Sequence, residues 1–374
     1  MLCDRYMAFE LSSLTTLLNV FYIGSFLVLF LYGQRFQLSF MRRGVKSQIA
    51  KLDRLRSEAQ VKLVDSLKKY RDSTDAATLS QSVDRLLGSF VISPISMDPT
   101  GIVPKMEHIL DSADENLRSE IRKIAPKADE SAVQTLSNVA EITIGLNNMF
   151  KIVRHFYIAG SKQGGTYSVV QLQMMMPQIM EMADAYSSAM SAFANGKVIG
   201  DGFGPLVASE LVKTVDSNST WTEPIKDTEV AKLNYLNHVA YVVKAKGPGG
   251  NVGKPGAVIQ KILQEDTGVK FVLTVDASLK LEGEETGSMA EGVGAAIGGP
   301  GTDRFRIEET AASRQVEMLA MVTKMSEKEA ITELPTQVRD KVPSTVSRIL
   351  NIVRELPGGA SIIIAGIGNT LGVA

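Results

Sequence analysis

The chain has 374 residues, 44% hydrophobic and 22% charged, with a formal net charge of -1, which excludes an intrinsically disordered protein. With so little net charge and no basic stripe interleaved with aromatics, nucleic acid is not an expected partner. Cys3 is the single cysteine, and His108, His155 and His238 lie far apart, so an intrachain disulfide and a thiolate zinc site are excluded and any metal would be held mainly by carboxylates.

After a tail of residues 1–10, the span Leu11 to Gln34 carries no charge and includes LLNVFYIGSFLVLFLYG. About 20 apolar residues in a helix cross a hydrocarbon core of roughly 30 Å, so a transmembrane helix is predicted over this span. Asp4, Arg5 and Glu10 before the run, with bulky residues at its end, do not fit a cleaved signal peptide. Arg35, Arg42, Arg43 and Lys46 follow it, against Arg5 on the other side. The positive-inside rule then predicts a single pass of the cell membrane with the C-terminal domain in the cytoplasm.

Residues 35–74 read as a basic juxtamembrane segment and a helical stalk. Ile49, Leu52, Ala59, Leu63 and Tyr70 form a narrow apolar seam there, suited to a homo-oligomer. Asp72 to Ala76 (DSTDA) reads as a break and a new N-cap. Residues 75–195 form a helical domain, with loops at Ser93–Pro104 and Gly160–Gly165. Met174, Met175, Met176, Met180, Met182 and Met190 share one helix and read as core, and Pro177 marks a kink or a start.

Residues 196–374 change character. Strands are predicted at Val239–Lys244, Phe271–Val275, near Phe305–Ile307 and at Ser361–Ala365, with helices at Ala257–Gln264 and around Pro335 and Pro343. Strands alternating with helices predict an α/β domain, a mostly parallel sheet covered on both faces. In such sheets chemistry gathers at the C-terminal ends of the strands, and Phe271–Val275 ends at Asp276, Lys280, Glu282, Glu284 and Glu285.

Glycine-rich loops punctuate this half: GDGFGP from Gly200, KGPGGNVGKPG from Lys246, the Asp276 loop, GVGAAIGGPG from Gly292 and GIGNTLG from Gly366. GGNVGKP lacks the hydroxyl of the Walker loop, and GVGAAIG follows no clear strand, so neither is a nucleotide fingerprint. Backbone amides that precede a helix can still receive an anion. Candidate ligand-binding residues are therefore Gly200, Gly202, Lys246, Gly249, Gly250, Lys254, Glu284, Glu291, Gly294, Gly298, Asn369 and Thr370, with Arg304 as a further cation.

GDGFGPLVASEL, KGPGGNVGKPG, FVLTVDA and AEGVGAAIGGPG follow one another in an order that resembles the hydrogenase maturation endopeptidases and the spore germination proteases. The Gly-x-Gly-Asn turn of their first strand stands here at the far end, as GIGNT, so the resemblance implies a circularly permuted phosphorylase/hydrolase-like fold. Carried over, the two acids are Asp201 and Asp276, able to share a proton or jointly hold a divalent metal. Lys280 and Glu282 would orient substrate or tune the pair. The histidine of the maturation enzymes has no counterpart beyond His238. The chain as a whole also resembles an uncharacterised family of archaeal membrane proteins known as a domain of unknown function.

These readings predict a membrane-anchored hydrolase, an endopeptidase acting on a peptide or other small ligand through Asp201 and Asp276. The alternatives are a tethered module that binds a phosphate-bearing ligand through the glycine loops, or a structural membrane protein. The first makes a geometric demand: Asn369, Asp201 and Asp276 should meet at one end of a sheet that contains the last strand.

Overall fold

The computed structural model describes residues 2–71, 76–89, 101–162, 166–299 and 301–374. The expected N-cap at 72–75, most of the Ser93–Pro104 loop and the 163–165 turn lie outside the described residues. Five long helices come first: α1 (Leu2–Lys68), α2 (Ala76–Leu86), α3 (Ile102–Ile124), α4 (Glu130–Lys162) and α5 (Thr166–Ala194).

The predicted membrane span is overturned. No helix among the described residues is long and apolar enough to cross a membrane. The uncharged run is one part of the 67-residue α1, and it continues without a break into the charged stalk. Within that stalk Leu52, Leu55, Ala59, Leu63 and Leu67 are buried. Of the methionines on α5, Met176, Met180 and Met190 are core, whereas Met174, Met175 and Met182 are exposed.

The chain divides into two compact units. One comprises Met1–Arg54 and Asn148–Met180, with Val45, Leu52, Val153, Val169, Leu172 and Met176 among its buried residues. The other comprises Leu55–Asn147 and Glu181–Ala374 and contains the sheet.

That sheet is assembled from α6 (Phe203–Val215), β1 (Trp221–Ile225), β2 (Thr228–Tyr235), β3 (His238–Ala245), α7 (Pro255–Glu265), β4 (Val269–Leu279), β5 (Met289–Val293), α8 (Thr302–Ser313), β6 (Glu317–Met325), α9 (Glu327–Ile331), α10 (Thr336–Arg339), α11 (Val342–Glu355) and β7 (Ser361–Gly366). The strand order is β1-β2-β3-β7-β4-β6-β5. It is mixed rather than mostly parallel: β3, β7, β4 and β6 run parallel, and antiparallel β1-β2 and β5 flank them. Sequence patterning passed over these flanking strands because Pro224 in β1 and Gly292 in β5 argue against strands, and neither is long. The strand expected near Phe305–Ile307 is instead part of α8, whose Ile307 and Ala311 face the core.

The last strand, SIIIAG, is buried at every position, as a central parallel strand must be when helices cover both faces. One face packs Val207, Leu211, Val346 and Ile349 of α6 and α11 onto Leu273, Val275, Ile362 and Ile364. The other packs Val258, Ile259, Ile307 and Ala311 of α7 and α8 onto Val243, Val272, Ile363 and Ala365.

Candidate active site

The C-terminal ends of the four parallel strands share one edge. There the chain leaving β4 makes a hairpin past the end of β6 into β5, and the segment after β5 comes back over the α7 and α8 face, where Ala295 and Ile297 pack. The chain leaving β6 turns toward the other face, where Leu334 and Val338 pack. The segments that follow β5 and β6 thus lie on opposite faces, and the C-terminal ends of parallel strands are where α/β sheets bind ligands.

Asp276 stands at this point. Strand β4 stays paired to β7 only as far as Val275 opposite Gly366, then continues beside β6 alone, with Asp276 opposite Val322. The sequence placed Asp276 in a loop after the strand; it lies within the strand, which runs on to Leu279. Its side chain is 4% exposed. Oδ1 accepts the N–H of Ala277 at 2.7 Å, and Oδ2 accepts that of Gly298 at 3.2 Å. Burial, and then the charge of Asp201, push its carboxyl well above the usual carboxylate range despite those two amides.

Asp201 arrives from the 3-10 turn Gly200–Gly202 at the head of α6. Bringing that turn onto the strand ends needs bare backbone. A Cβ on Gly204 would strike the carbonyls of Ile367 and Val275, and one on Gly366 would strike that of Gly204. Gly368, at φ +130, passes directly against the Asp201 carbonyl. Asn369 then donates its N–H to Asp201 Oδ2 at 2.9 Å. The residue as a whole is half-buried, but its carboxyl is enclosed: burial raises it, and the Asn369 amide partly offsets that.

The other expected site residues are dispersed. Lys280 donates to Thr286 Oγ1 at 2.9 Å, and Thr286 donates in turn to Glu329, which also caps α9 through Ser326. Glu282 sits exposed at the tip of the hairpin. Glu284 accepts the Leu281 amide and lies 3.8 Å from Lys324, while Glu291 forms a two-pronged pair with Arg348 at 2.7 and 2.9 Å. Lys246 is paired with Glu223 and Lys254 with Asp111. At the head of α7, where an anion would bind, Asp303 already accepts the Gly256 amide at 2.9 Å. Gly249 and Gly250 pack against Gln134 and Asn138 of α4, and Gly200 packs against Glu329 and Ala330. Gly202 packs against the Asn369 carbonyl, and Gly294 and Gly298 face open space.

The residues do not make a closed metal site. Among the described residues no group of three or more His, Cys, Asp or Glu side chains could hold an ion. Asp201 and Asp276 supply two carboxylates, and three of their oxygen positions already accept backbone amides. The sequence puts Gly298 among ligand-binding residues without marking it as a partner of Asp276, and it does not single out Glu329 of α9.

The fold and site define a three-layer α/β domain with a carboxylate pair at its strand ends, joined to a long helical region. Residues 19–196 match the N-terminal domain of the DUF1512 proteins of unknown function, and residues 199–374 match the C-terminal DUF1512 domain of unknown function. The chain belongs to this two-domain family. No curated protein and no solved structure matches it.

Proposed function

We propose that the C-terminal domain is a hydrolase that cleaves peptide amide bonds with Asp276 as general acid and Asp201 as general base. The observation that carries this reading is the pair itself: a buried strand-end carboxyl raised by its environment, with a second acid close enough for its charge to be felt. Two such groups hold one proton between them over a wide pH range.

In this reading Asp201, ionised, takes a proton from a water that attacks the substrate carbonyl, and Asp276 gives its proton to the carbonyl oxygen. Collapse of the resulting diol returns a proton to Asp276, and Asp201 passes the one it took to the leaving amine. Gly298 holds Asp276 by one long hydrogen bond, which substrate entry would replace. The order of GDGFGP, FVLTVDA and GIGNT, with the last strand seated among the parallel strands, supports the resemblance to a permuted maturation endopeptidase.

Incubation of the full chain with a mixed fluorogenic peptide library tests this. Cleavage should show a bell-shaped pH profile, and Asp276→Asn or Asp201→Asn should each slow it by about 10²- to 10⁴-fold. Wild-type rates in both variants would overturn the proposal.

A further inference from the structure

The segment after β7 is tied to the helical part of the chain by one run of contacts. Thr370 is fully buried, and its hydroxyl lies 2.9 Å from the carbonyl of Gly249, 3.0 Å from that of Asn251 and 3.1 Å from that of Lys246. One hydroxyl proton serves these three acceptors, so the side chain is gripped wherever the proton turns. Its own N–H donates to the Asn251 carbonyl at 2.9 Å, and Gly372 donates to the Pro248 carbonyl at 3.0 Å.

The 246–251 loop is gripped in turn from α4. Asn138 Nδ2 donates to the Gly250 carbonyl at 2.6 Å. The Gln134 side chain fills the space where a Cβ on Gly249 would stand, and Asn138 does the same at Gly250. Gln134 is itself anchored, donating to Asp227 Oδ1 at 3.2 Å.

We propose that Thr370 is a positioning residue for Asp201, and that Gln134 and Asn138 of α4 hold it in place through the Gly249–Asn251 backbone. The path from Thr370 to Asp201 is one residue long: Asn369, its neighbour in the chain, gives its N–H to the Asp201 side chain at 2.9 Å, and the same nitrogen lies 3.2 Å from the Asp201 carbonyl oxygen. A displaced Thr370 therefore displaces that amide. The helical domain would act on the carboxylate pair without touching it, which gives the two matched domains a reason to share one chain. The kinetic consequence rests on the hydrolase reading; the positioning of Asp201 does not.

The charged groups on the elements around Asp201 are few. Asp276 on β4 is the one whose field couples to it. Glu329 on α9 turns its carboxylate to Ser326 and Thr286, and Glu333 beyond it is paired with Lys197 at 2.7 Å.

The test is carboxyl NMR titration of the full chain labelled at aspartate, with Asp201→Asn used to assign the signal. Thr370→Val should move the Asp201 midpoint upward by about one pH unit, since it loses a hydrogen bond that favours the charged form. Thr370→Ser, which keeps the hydroxyl, should titrate like wild type. Asn138→Ala should shift the midpoint in the same direction by less. If Thr370→Val titrates like wild type, or Thr370→Ser shifts as far as Thr370→Val, the proposal fails. Should Thr370→Val not fold, Asn138→Ala decides the point by the same signal. Absence of hydrolysis in wild type would remove the catalytic reading and leave this titration fully informative. Hydrolysis whose acid limb ignores both variants would remove the positioning role alone.

Discussion

Asn369 donates its backbone N–H to Asp201 Oδ2 at 2.9 Å, joining residues 168 apart in the chain. The bond exists because β7 is the central strand of the sheet, so the chain emerging from it meets the head of α6. Burial raises both carboxyls, and Asp276, which also feels the charge of Asp201, is pushed further toward the neutral form although it accepts two amides to the one of Asp201.

A pH dependence of stability follows from Asp276. Its folded value is raised, so the folded chain keeps a proton that the unfolded chain releases above about pH 4. The stabilisation is complete below that range and is lost as pH rises through the folded value. Wild type should therefore lose thermal stability as pH rises from about 4 through the folded value, by about 1.4 kcal/mol for each unit of upward shift. Asp276→Asn should flatten that slope and be the more stable protein at the alkaline end, as read by calorimetry across the series.

Gly368 should not tolerate a side chain. At φ +130, with the Asp201 carbonyl in the path of a Cβ, Gly368→Ala combines backbone strain with a clash. A loss of about 2–4 kcal/mol is expected in urea unfolding. Gly358→Ala, where nothing stands within 4 Å, is the control and should stay within about 1 kcal/mol.

Arg118 on α3 reaches Asp227 Oδ2 at 2.7 Å, and the two side chains are only 11% and 17% exposed. Asp227 sits at φ +65 in the β1–β2 turn, a conformation that Asp and Asn accept. Arg118→Ala leaves a shielded carboxylate and should cost about 2–3 kcal/mol. Asp227→Asn, which keeps the turn and an acceptor oxygen, should cost less, and equal losses in the two variants would argue against the ion pair as the cause.

Lys244 is 1% exposed, 3.1 Å from Glu229 Oε2 and 4.6 Å above the ring of Trp221. Trp221 is the only tryptophan, so its emission reports this contact directly. Lys244→Met should change the emission spectrum and cost about 2 kcal/mol, and pairing it with Glu229→Gln should recover part of that loss. An unchanged spectrum would mean that the ammonium does not rest on the ring.

How far the sequence could be read differs from residue to residue. Asp276 was legible because an apolar β-branched run ending in an acid marks a buried strand and its functional end. Asp201 was legible only through the resemblance that GDGFGP carries, since the proline there marks the helix and not the acid. The role of Gly298 was not, since an amide that caps a carboxylate from 22 residues away leaves no local pattern. The apolar run in α1 predicts a membrane span from its charge-free length, whereas no helix among the described residues is long and apolar enough to cross a membrane.

The sequence by itself determined the strands at Val239–Lys244, Phe271–Val275 and Ser361–Ala365 and the helix at Ala257–Gln264, because hydrophobic period and proline or glycine breaks are local properties. Only the tertiary structure decided that the final strand enters between β3 and β4, with Ile362 beside Ala240 on one side and Phe271 on the other. Parallel pairing is set by contacts between distant segments and by which faces the crossing helices cover, neither of which a local window contains. That insertion is what carries Asn369 to Asp201, and with it the geometry of the site.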